Sequence, residues 1–299
     1  MSYDVTILTE NQYVNPTDTN WYVDQVLLED RLVQEALERL GLKVTKKDWA
    51  DPNFDWSSSK TLLFRSTWDY FHRFNEFEHW LNRVSKTTQL INPAAQILWN
   101  MDKHYLQDVA EQGVNTVEGH YIKRGSKTTL AELHQKLGWN ETVIKPTVSG
   151  AARHTYRLNP NNYAAHEKLF AELIQAEDFI LQPFQKNVLT KGEVSHVIIH
   201  GKYSHSILKL AKEGDYRVQD DHGGTTHHYS ASSAEIAFAE KGTRACKTLP
   251  IYARVDAIWD NNDELALIEL ELIEPELWFR ENSTAADKLA VAIHSEYFG

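Results

Sequence analysis

Three carboxylates on one face of a predicted hairpin constrain this chain more than any other feature. The stretch RVDAIWDNNDELALIELELIEP, residues 254–275, reads as two β-strands joined by a polar turn. Because strand side chains alternate between faces, Arg254 shares a face with Asp256, and Glu269 shares one with Glu271. Several hairpin registers place Asp256 opposite Glu269 or one diagonal step away. The pattern therefore predicts a cluster of three acids.

Such a cluster needs compensating positive charge. Two like charges about 4 Å apart repel by roughly 4 kcal/mol at an effective dielectric of about 20. Carboxylate oxygens grouped in this way suit Mg²⁺ or Mn²⁺, and the adjacent Arg254 indicates an anionic substrate. Alternating acids are also typical of a solvent-facing strand surface, so both interpretations stay open for this segment alone.

Composition and charge exclude several classes of function. A chain of 299 residues buries a substantial core and divides into two or three lobes. Its net charge of −11 argues against a general nucleic-acid or anionic-membrane surface, so neither partner is expected. The start, MSYDVTILTENQY, lacks the basic and apolar regions of a signal peptide, and no segment is apolar enough to span a bilayer. A cytoplasmic location is the resulting expectation.

Cysteine and histidine supply no recognisable catalytic or metal motif. Cys246 is the only cysteine, which excludes an intrachain disulfide and leaves a catalytic thiol without support. His196, His200 and His205 fall in predicted strands and are interpreted as structural.

The order of strand and helix patterns divides the chain into three predicted lobes. DVTILT, LKVTK and TLLFRST read as strands, with a helix that ends at Gly41, which predicts a small parallel α/β lobe over residues 1–95. This lobe has no glycine-rich dinucleotide fingerprint. One helix through NPAAQILWNMDKHYLQDVAEQG then opens the second lobe, residues 96–184. The third lobe, residues 185–299, contains the hairpin, and strand candidates outnumber helices in both later lobes.

Four basic residues recur where a triphosphate would need them. Lys103 falls in the first turn of its predicted helix, at the unfavourable end of the macrodipole for a cation. Lys145 closes the strand TVIK before a run of small residues, 149–152, that lets backbone amides approach phosphate oxygens. Lys209 ends the strand SHSILK, and Arg217 lies in EGDYRVQDDHGG, a polar stretch predicted to be a mobile lid. An ordinary surface loop is the alternative for the small-residue run.

The order of these segments resembles the ATP-grasp superfamily of carboxylate ligases. The series VIKP, LQPF, GEVS, LKLAKEGDYRVQDDHGG, RVD and IELELIEP spans most of residues 95–280. The lid segment is similar to amino acid ligases of the ribosomal-protein-modifying type, and RVD with paired acids is similar to D-alanine–D-alanine ligase. RSTWDY and ELELIEP resemble the cyclo-ligase that forms D-cycloserine from O-ureido-D-serine. The resemblance implies an α/β (α+β) ATP-grasp fold, in which an N-terminal parallel pre-ATP-grasp lobe precedes two sheet-containing lobes that enclose the nucleotide.

The resemblance also implies roles for individual residues. The metal ligands, for Mg²⁺ or Mn²⁺, are expected to be Asp256, Glu269 and Glu271, although many relatives have asparagine in place of Glu271. The residues expected to bind ATP are Lys103, Lys145, Ser149, Gly150, Gln182, Pro183, Phe184, Gln185, Glu193, Lys209 and Arg217.

Within that set, residues 182–185 match the adenine hinge and Glu193 matches the acid that binds the ribose hydroxyls. Pro183 has no N–H but can offer its carbonyl to the adenine amino group, and Gln185 can offer an N–H to a ring nitrogen. Phe184 is expected to line the adenine slot, with a plain core role as the alternative.

Substrate contacts are expected at the carboxyl end of the strand TLLF. Arg65, Ser66 and Asp69 follow this strand, where ligands sit in parallel sheets. Arg65 would bind a carboxylate and Asp69 an ammonium group, and Arg254 would contact the substrate as well. A helix-capping serine or aspartate with a surface arginine is the alternative.

The resemblance implies an ADP-forming ligase that joins a carboxylate to a nitrogen nucleophile. ATP would activate a small, amino-acid-like carboxylate as an acyl phosphate, and the attack would be intermolecular or would close a ring. Arg254, Lys209 and Arg217 are the expected catalytic residues, with Arg254 stabilising the tetrahedral oxyanion. The alternative is a regulatory protein that binds ATP without turnover. The sequence leaves the carboxylate, the nucleophile and the oligomeric state open, a homodimer included.

Overall fold

Three β-sheets organise the protein, one in each predicted lobe. The structure is a computed structural model that describes residues 2–219 and 222–299. No helix in these ranges is both long enough and apolar enough to cross a membrane. The boundaries of the lobes themselves stay predictions.

The first sheet is parallel, as the alternating strand and helix pattern predicts. Its strands are β1 (Tyr3–Thr9), β2 (Val44–Asp48), β3 (Ser59–Phe64) and β4 (Gln89–Ile91), and its helices are α1 (Trp21–Arg39) and α2 (Phe74–Val84). The strand order is β2-β1-β3-β4. Asn20 caps α1 by accepting from the Val23 N–H at 3.0 Å, which fixes the start of the helix at Trp21.

Two short helices lead into the second sheet, so the prediction of one continuous helix is wrong. They are α3 (Ala94–Asn100) and α4 (Tyr105–Glu111). Between them the Lys103 N–H donates to the carbonyl of Thr147 at 2.9 Å, a bond that draws the backbone out of the helical path. Lys103 therefore lies in the turn before α4 and not in the first turn of a helix.

The second sheet is antiparallel and has its own hydrophobic core. Its elements are β5 (His120–Ile122), α5 (Leu130–Leu137), β6 (Thr142–Pro146), β7 (Tyr156–Leu158), α6 (Tyr163–Leu173) and β8 (Phe179–Pro183). The strand order is β5-β8-β6-β7. The small-residue run lies in the connection from β6 to β7.

The third sheet carries the acidic hairpin at one edge. Its elements are α7 (Val188–Lys191), β9 (Glu193–Ile199), β10 (Lys202–Leu210), β11 (Thr225–Tyr229), α8 (Ser233–Arg244), β12 (Tyr252–Trp259), β13 (Leu265–Glu271) and α9 (Thr284–Tyr297). The strand order is β11-β10-β9-β12-β13, with every neighbouring pair antiparallel. His200 lies in the turn between β9 and β10 and not in a strand.

The first and third sheets share one continuous core. A single cluster contains Val5 of β1, Val197 of β9, Tyr252 of β12 and Leu289 of α9. The second sheet, by contrast, is packed around a separate cluster that includes Phe179. The protein therefore consists of a two-sheet body and a second-sheet lobe, with the site described below between them.

Candidate active site

The three hairpin acids meet in an enclosed position. β12 and β13 pair with Asp256 directly opposite Glu269 and Arg254 opposite Glu271, within the predicted range of registers. One oxygen from each of the three carboxylates lies within 4.8 Å of the others. Asp256 is 2% exposed, and the two glutamates are half-buried. This burial excludes a solvent-facing strand surface.

Arg254 neutralises two of these acids. Its Nε donates to Asp256 Oδ1 at 2.9 Å, and its Nη2 donates to Asp256 Oδ2 at 2.8 Å. The same guanidinium pairs with Glu271 and lies over the ring of Trp278, with 5.3 Å from Cζ to the ring centroid. A fixed planar cation of this kind suits a site that has to position anionic oxygens.

Two lysines from distant segments complete the charge balance. Lys103 Nζ lies 3.0 Å from Glu269 Oε1 and donates to the Ser149 carbonyl at 2.7 Å. Lys209 Nζ pairs with Glu193 and lies 3.5 Å from Asp256 Oδ2. The predicted convergence of basic side chains on the hairpin is thus present in the structure.

These contacts split the pKa values of the acids. Burial raises the pKa of Asp256, but Arg254 and Lys209 outweigh burial and hold that pKa below its usual value. The pKa of Glu269 is also lowered, because Lys103 and then Lys145 overcome its burial.

For Glu271 burial dominates over Arg254 and raises the pKa to about 8. Of the three acids, Glu271 therefore holds its negative charge least readily.

Lys145 is the cation without an acid. No carboxylate among the described residues lies within 4.0 Å of its ammonium group. Burial lowers the pKa of Lys145, and the charge of Glu269 opposes that effect. A half-buried ammonium with no partner is suited to bind an anion.

The small-residue run forms a tight loop beside Lys145. Ala151 and Ala152 have φ values of 48° and 55°, in the left-handed region. At Gly150 a Cβ atom would lie 2.6 Å from Cε1 of Phe71, so the loop packs closely against the first lobe. Ser149 fixes the loop further, because its Oγ donates to the Arg153 carbonyl at 3.0 Å.

The predicted adenine hinge borders an aromatic slot. Phe184 is 4% exposed, the Arg157 guanidinium lies 3.8 Å from its ring centroid, and Tyr216 meets it edge-on at 5.8 Å. The Pro183 carbonyl accepts from the Gln185 side chain at 2.9 Å. The Gln185 backbone N–H has no acceptor among the described residues.

Gln182 and Glu193 line the same cavity as this slot. The Gln182 side chain donates to the Val117 carbonyl at 3.2 Å. Glu193 is buried, which raises its pKa, although Lys209 opposes the shift.

The predicted lid reaches the second lobe through Tyr216. Its hydroxyl donates to the Thr155 carbonyl at 3.3 Å. Arg217 borders the cavity, but its guanidinium is bound to Asp215, with Nη2 at 2.7 Å from Oδ2. Asp220 and Asp221 of the predicted lid lie outside the described residues.

Three of the four predicted substrate residues lie outside the main cavity. Arg65 is 3% exposed and pairs with Glu29, so it is neither a substrate ligand in this arrangement nor the surface arginine of the alternative. Asp69 accepts from Trp49 Nε1 at 2.7 Å and from Arg73 Nη1 at 2.8 Å.

Ser66, the third of them, lies with its Oγ 2.6 Å from Thr9 Oγ1, beside a small neighbouring recess. The end of β3 is thus occupied by internal contacts, and a role of these three residues in substrate binding stays a prediction.

One cavity of about 330 Å³ collects the other predicted residues. Every expected nucleotide, metal and catalytic residue lines it, together with aromatic and acidic residues that sequence reasoning missed. The missed residues include Trp68, Tyr70, Glu274, Glu276 and Trp278. The motif ELELIEP contains Glu274, but alternation along the strand ends before that residue and gave no signal for its direction.

The architecture is that of the ATP-grasp fold. A RimK domain ATP-grasp protein from Sphaerobacter thermophilus superposes with a TM-score of 0.66 at 14% identity, covering 99% of this chain and 100% of that chain. The fold and the relatives described next support an ATP-grasp carboxylate–amine ligase, an enzyme class that carries out ATP-dependent ligation.

Within this class the chain is similar to DcsG over nearly its whole length. A family model described as the N-terminal domain of D-cycloserine synthetase DcsG matches residues 5–92. The cycloserine biosynthesis protein DcsG of Streptomyces lavendulae is 29% identical over 274 residues, which are 87% of this chain and 90% of that protein. A crystal structure of D-cycloserine synthetase DcsG has a TM-score of 0.85 and 27% identity, covering 98% of this chain and 99% of that chain.

Proposed function

We propose that the enzyme activates a small, amino-acid-like carboxylate as an acyl phosphate and passes the acyl group to a nitrogen nucleophile. The observation that carries this proposal is the enclosed acid cluster of Asp256, Glu269 and Glu271, faced by three basic side chains in one cavity. Such a site neutralises the charge of a phosphoryl group while it holds two reactants in line.

The acid cluster fits a hard divalent cation. Its donors are all carboxylate oxygens, and they lie close enough together to bind the same ion. Mg²⁺ and Mn²⁺ prefer oxygen donors. When bound, such ions would neutralise negative charge on the phosphate oxygens. Glu269 and Asp256 hold their negative charge most readily, so we assign them the leading roles as ligands, with Glu271 as the third.

The basic residues have separate tasks in this proposal. Lys145, which has no acid partner, binds phosphate oxygens together with Lys103, while Lys209 and Arg217 contact the nucleotide from the third lobe. The γ-phosphoryl group passes to the substrate carboxylate, which gives ADP and the acyl phosphate. Nitrogen then attacks the acyl carbon, Arg254 stabilises the oxyanion, and phosphate leaves.

A cyclisation is the favoured form of the reaction. The similar protein is named a D-cycloserine synthetase, and a ring closure needs no room for a second substrate in the cavity. Attack by a separate amine remains the second candidate form of the same chemistry.

A trapping assay tests the proposed chemistry. The protein with ATP and Mg²⁺ is offered a panel of D- and L-amino acids and O-ureido-D-serine, with release of ADP and phosphate followed over time. Hydroxylamine in a parallel reaction converts an acyl phosphate into a hydroxamate, and mass spectrometry distinguishes a ring from a conjugate. ATP binding without release of ADP for any member favours the regulatory alternative.

Replacing Glu269 tests the metal assignment. We expect Glu269→Gln to lower kcat with Mg²⁺ by at least about 100-fold, because a ligand oxygen and its charge are lost. Glu264→Gln, an exposed exchange on the same hairpin, is the matched control. If the Glu269 variant retains turnover while the melting temperatures of both variants stay near that of the parent, the metal site is misassigned.

A further inference from the structure

The cavity continues beyond the acid cluster into an end walled by rings and carboxylates. We call this the aromatic end, and it is lined by Trp68, Tyr70, Glu274, Glu276 and Trp278. It lies on the side of the acid cluster where the first and third lobes meet. The hinge, residues 182–185, lines the same cavity from the second lobe, so we assign the aromatic end to the carboxylate substrate and not to the nucleotide.

Glu274 is the acid in this wall that has no cation. Glu276 pairs with Arg280, whereas no basic group of the described chain lies within 4.0 Å of the Glu274 carboxylate. Its side-chain partner is the phenol of Tyr70. Burial raises the pKa of Glu274 to about 7, and a cation beside it would favour its charged form.

The backbone holds Glu274 in a fixed position. Trp68 Nε1 donates to the Glu274 carbonyl at 2.9 Å. Pro275 restricts the backbone of Glu274, the residue before it, and the Leu277 N–H is bound to the carboxylate of Glu29 at 2.8 Å. The carboxylate is therefore presented from a segment that is tied to the first lobe on both sides.

The surrounding rings favour a positively charged ligand. Aromatic faces attract ammonium groups, and walls that exclude water strengthen the attraction between a carboxylate and a cation. Trp278 already carries the Arg254 guanidinium at 5.3 Å and the Lys209 ammonium at 5.9 Å, so Trp68 and Tyr70 are the rings that serve a further cation. Its indole N–H is buried and has no partner among the described residues.

We propose that Glu274 binds the ammonium group of the substrate and so selects carboxylates that also carry a free amine. The proposal rests on the function proposed above, because the carboxylate of that substrate has to face Lys145 and the acid cluster. It assigns to Glu274 the role that sequence reasoning gave to Asp69, whose oxygens are taken by Trp49 and Arg73.

Binding measurements on matched ligands test this selection. The protein with Mg²⁺ and ADP is titrated by calorimetry with D-serine and D-alanine, with their N-acetyl derivatives, and with D-glycerate and D-lactate. We expect the free amino acids to bind at least 10-fold more tightly than the analogues without an ammonium group. Glu274→Gln should remove most of that preference while leaving ADP binding unchanged, and the exposed exchange Glu296→Gln should keep it.

The outcomes separate this proposal from the ligase chemistry. Equal binding of amino acids and acetylated analogues, no binding of any amino acid, or a Glu274→Gln variant that loses both classes alike would overturn the role of Glu274. If Glu274 is instead protonated and donates to a carbonyl of the ligand, no amino acid binds, or the N-acetyl derivatives bind more tightly than the free amino acids. Either result would also overturn the role of Glu274. A different result would contradict only the ligase chemistry. If the protein selects ligands with an amine but the trapping assay gives no hydroxamate, the proposed acyl phosphate is wrong and the ammonium site at Glu274 is still supported.

Discussion

Gly192 fixes the approach of the chain to Glu193. Its backbone has φ 73° and ψ −164°, a region that is essentially restricted to glycine. A Cβ atom at this position would lie 2.5 Å from the carbonyl oxygen of Lys209. Glu193 and Lys209 form one ion pair beside Asp256, so a shift of this turn moves two side chains of the site together.

Replacing this glycine is expected to destabilise the protein and weaken nucleotide binding. Backbone strain costs about 1–3 kcal/mol in Gly192→Ala, and the clash with a main-chain oxygen adds to it. Gly125→Ala is a matched control, because its φ is also positive, 76°, but nothing lies within 4 Å of the added Cβ. Urea unfolding and calorimetry with ATP compare the two variants. If both variants lose the same amount of stability and of ATP affinity, backbone strain alone explains the effect of Gly192→Ala, and contact with Lys209 adds nothing.

Single residues were predictable from the sequence where their neighbours are local. Asp256 and Glu269 were identified because strand alternation and a short turn bring them together. The ion pair of Arg65 was not predicted, because its partner Glu29 comes from α1, 36 residues earlier, and no local sequence pattern indicates that pair. Burial of an arginine by a distant acid is a tertiary property.

At the level of elements, β9 is buried along its whole length and contains a histidine, His196, that stays neutral. His196 is bound at Nδ1 to Ser206 Oγ at 2.7 Å, and its Nε2 has no partner among the described residues. Burial lowers the pKa of His196 to about 4, with Glu235 and Asp256 opposing the shift. The neutral ring is therefore a condition for the packing of the central strand.

This histidine should make the protein less stable in acid. Between pH 6.5 and 4 the unfolded chain binds a proton at His196 that the folded chain does not, so stability falls as pH falls. At pH 7.5 the His196→Asn variant should have a lower free energy of unfolding than the parent, because packing is lost. At pH 5 the difference between the two free energies of unfolding should be smaller by about 2 kcal/mol. Urea unfolding at both values measures the gap, and the exposed exchange His228→Asn is the control. A gap that does not change with pH would contradict the prediction.

Elements differed in how far the sequence predicted them. Strands with apolar alternation and the acidic hairpin were predicted, because their own side chains decide their faces. The strand β11, TTHHY, carries no apolar pattern and exists by pairing with the edge of β10. The break between α3 and α4 depends on the bond from Lys103 to Thr147, which joins the first helices of the second lobe to the strand that follows much later.

For the whole molecule, the site lies between the two-sheet body and the lobe built on the second sheet. Glu29 of α1 ties this body together, because its carboxylate accepts from the N–H groups of Leu277 and Phe279 at 2.8 and 3.1 Å and pairs with Arg65. The second lobe contacts this body through α4 and Ile180, which pack against β12 and β13, through the ion pair of Lys103 with Glu269, through the small-residue loop against the first lobe, and through Tyr216.

Glu29→Gln tests whether the first and third sheets behave as one body. The exchange keeps the shape but leaves the buried guanidinium of Arg65 without its acid, at a cost of about 3–5 kcal/mol. Hydrogen exchange should then rise in β1, β3, β9 and β12 together, while β6 and β8 keep their protection. Glu35→Gln on the exposed face of α1, where the pair with Arg31 is open to solvent, should change stability by about 0.5 kcal/mol or less. Faster exchange confined to the first sheet would show that the two sheets unfold separately and that the shared core does not couple them.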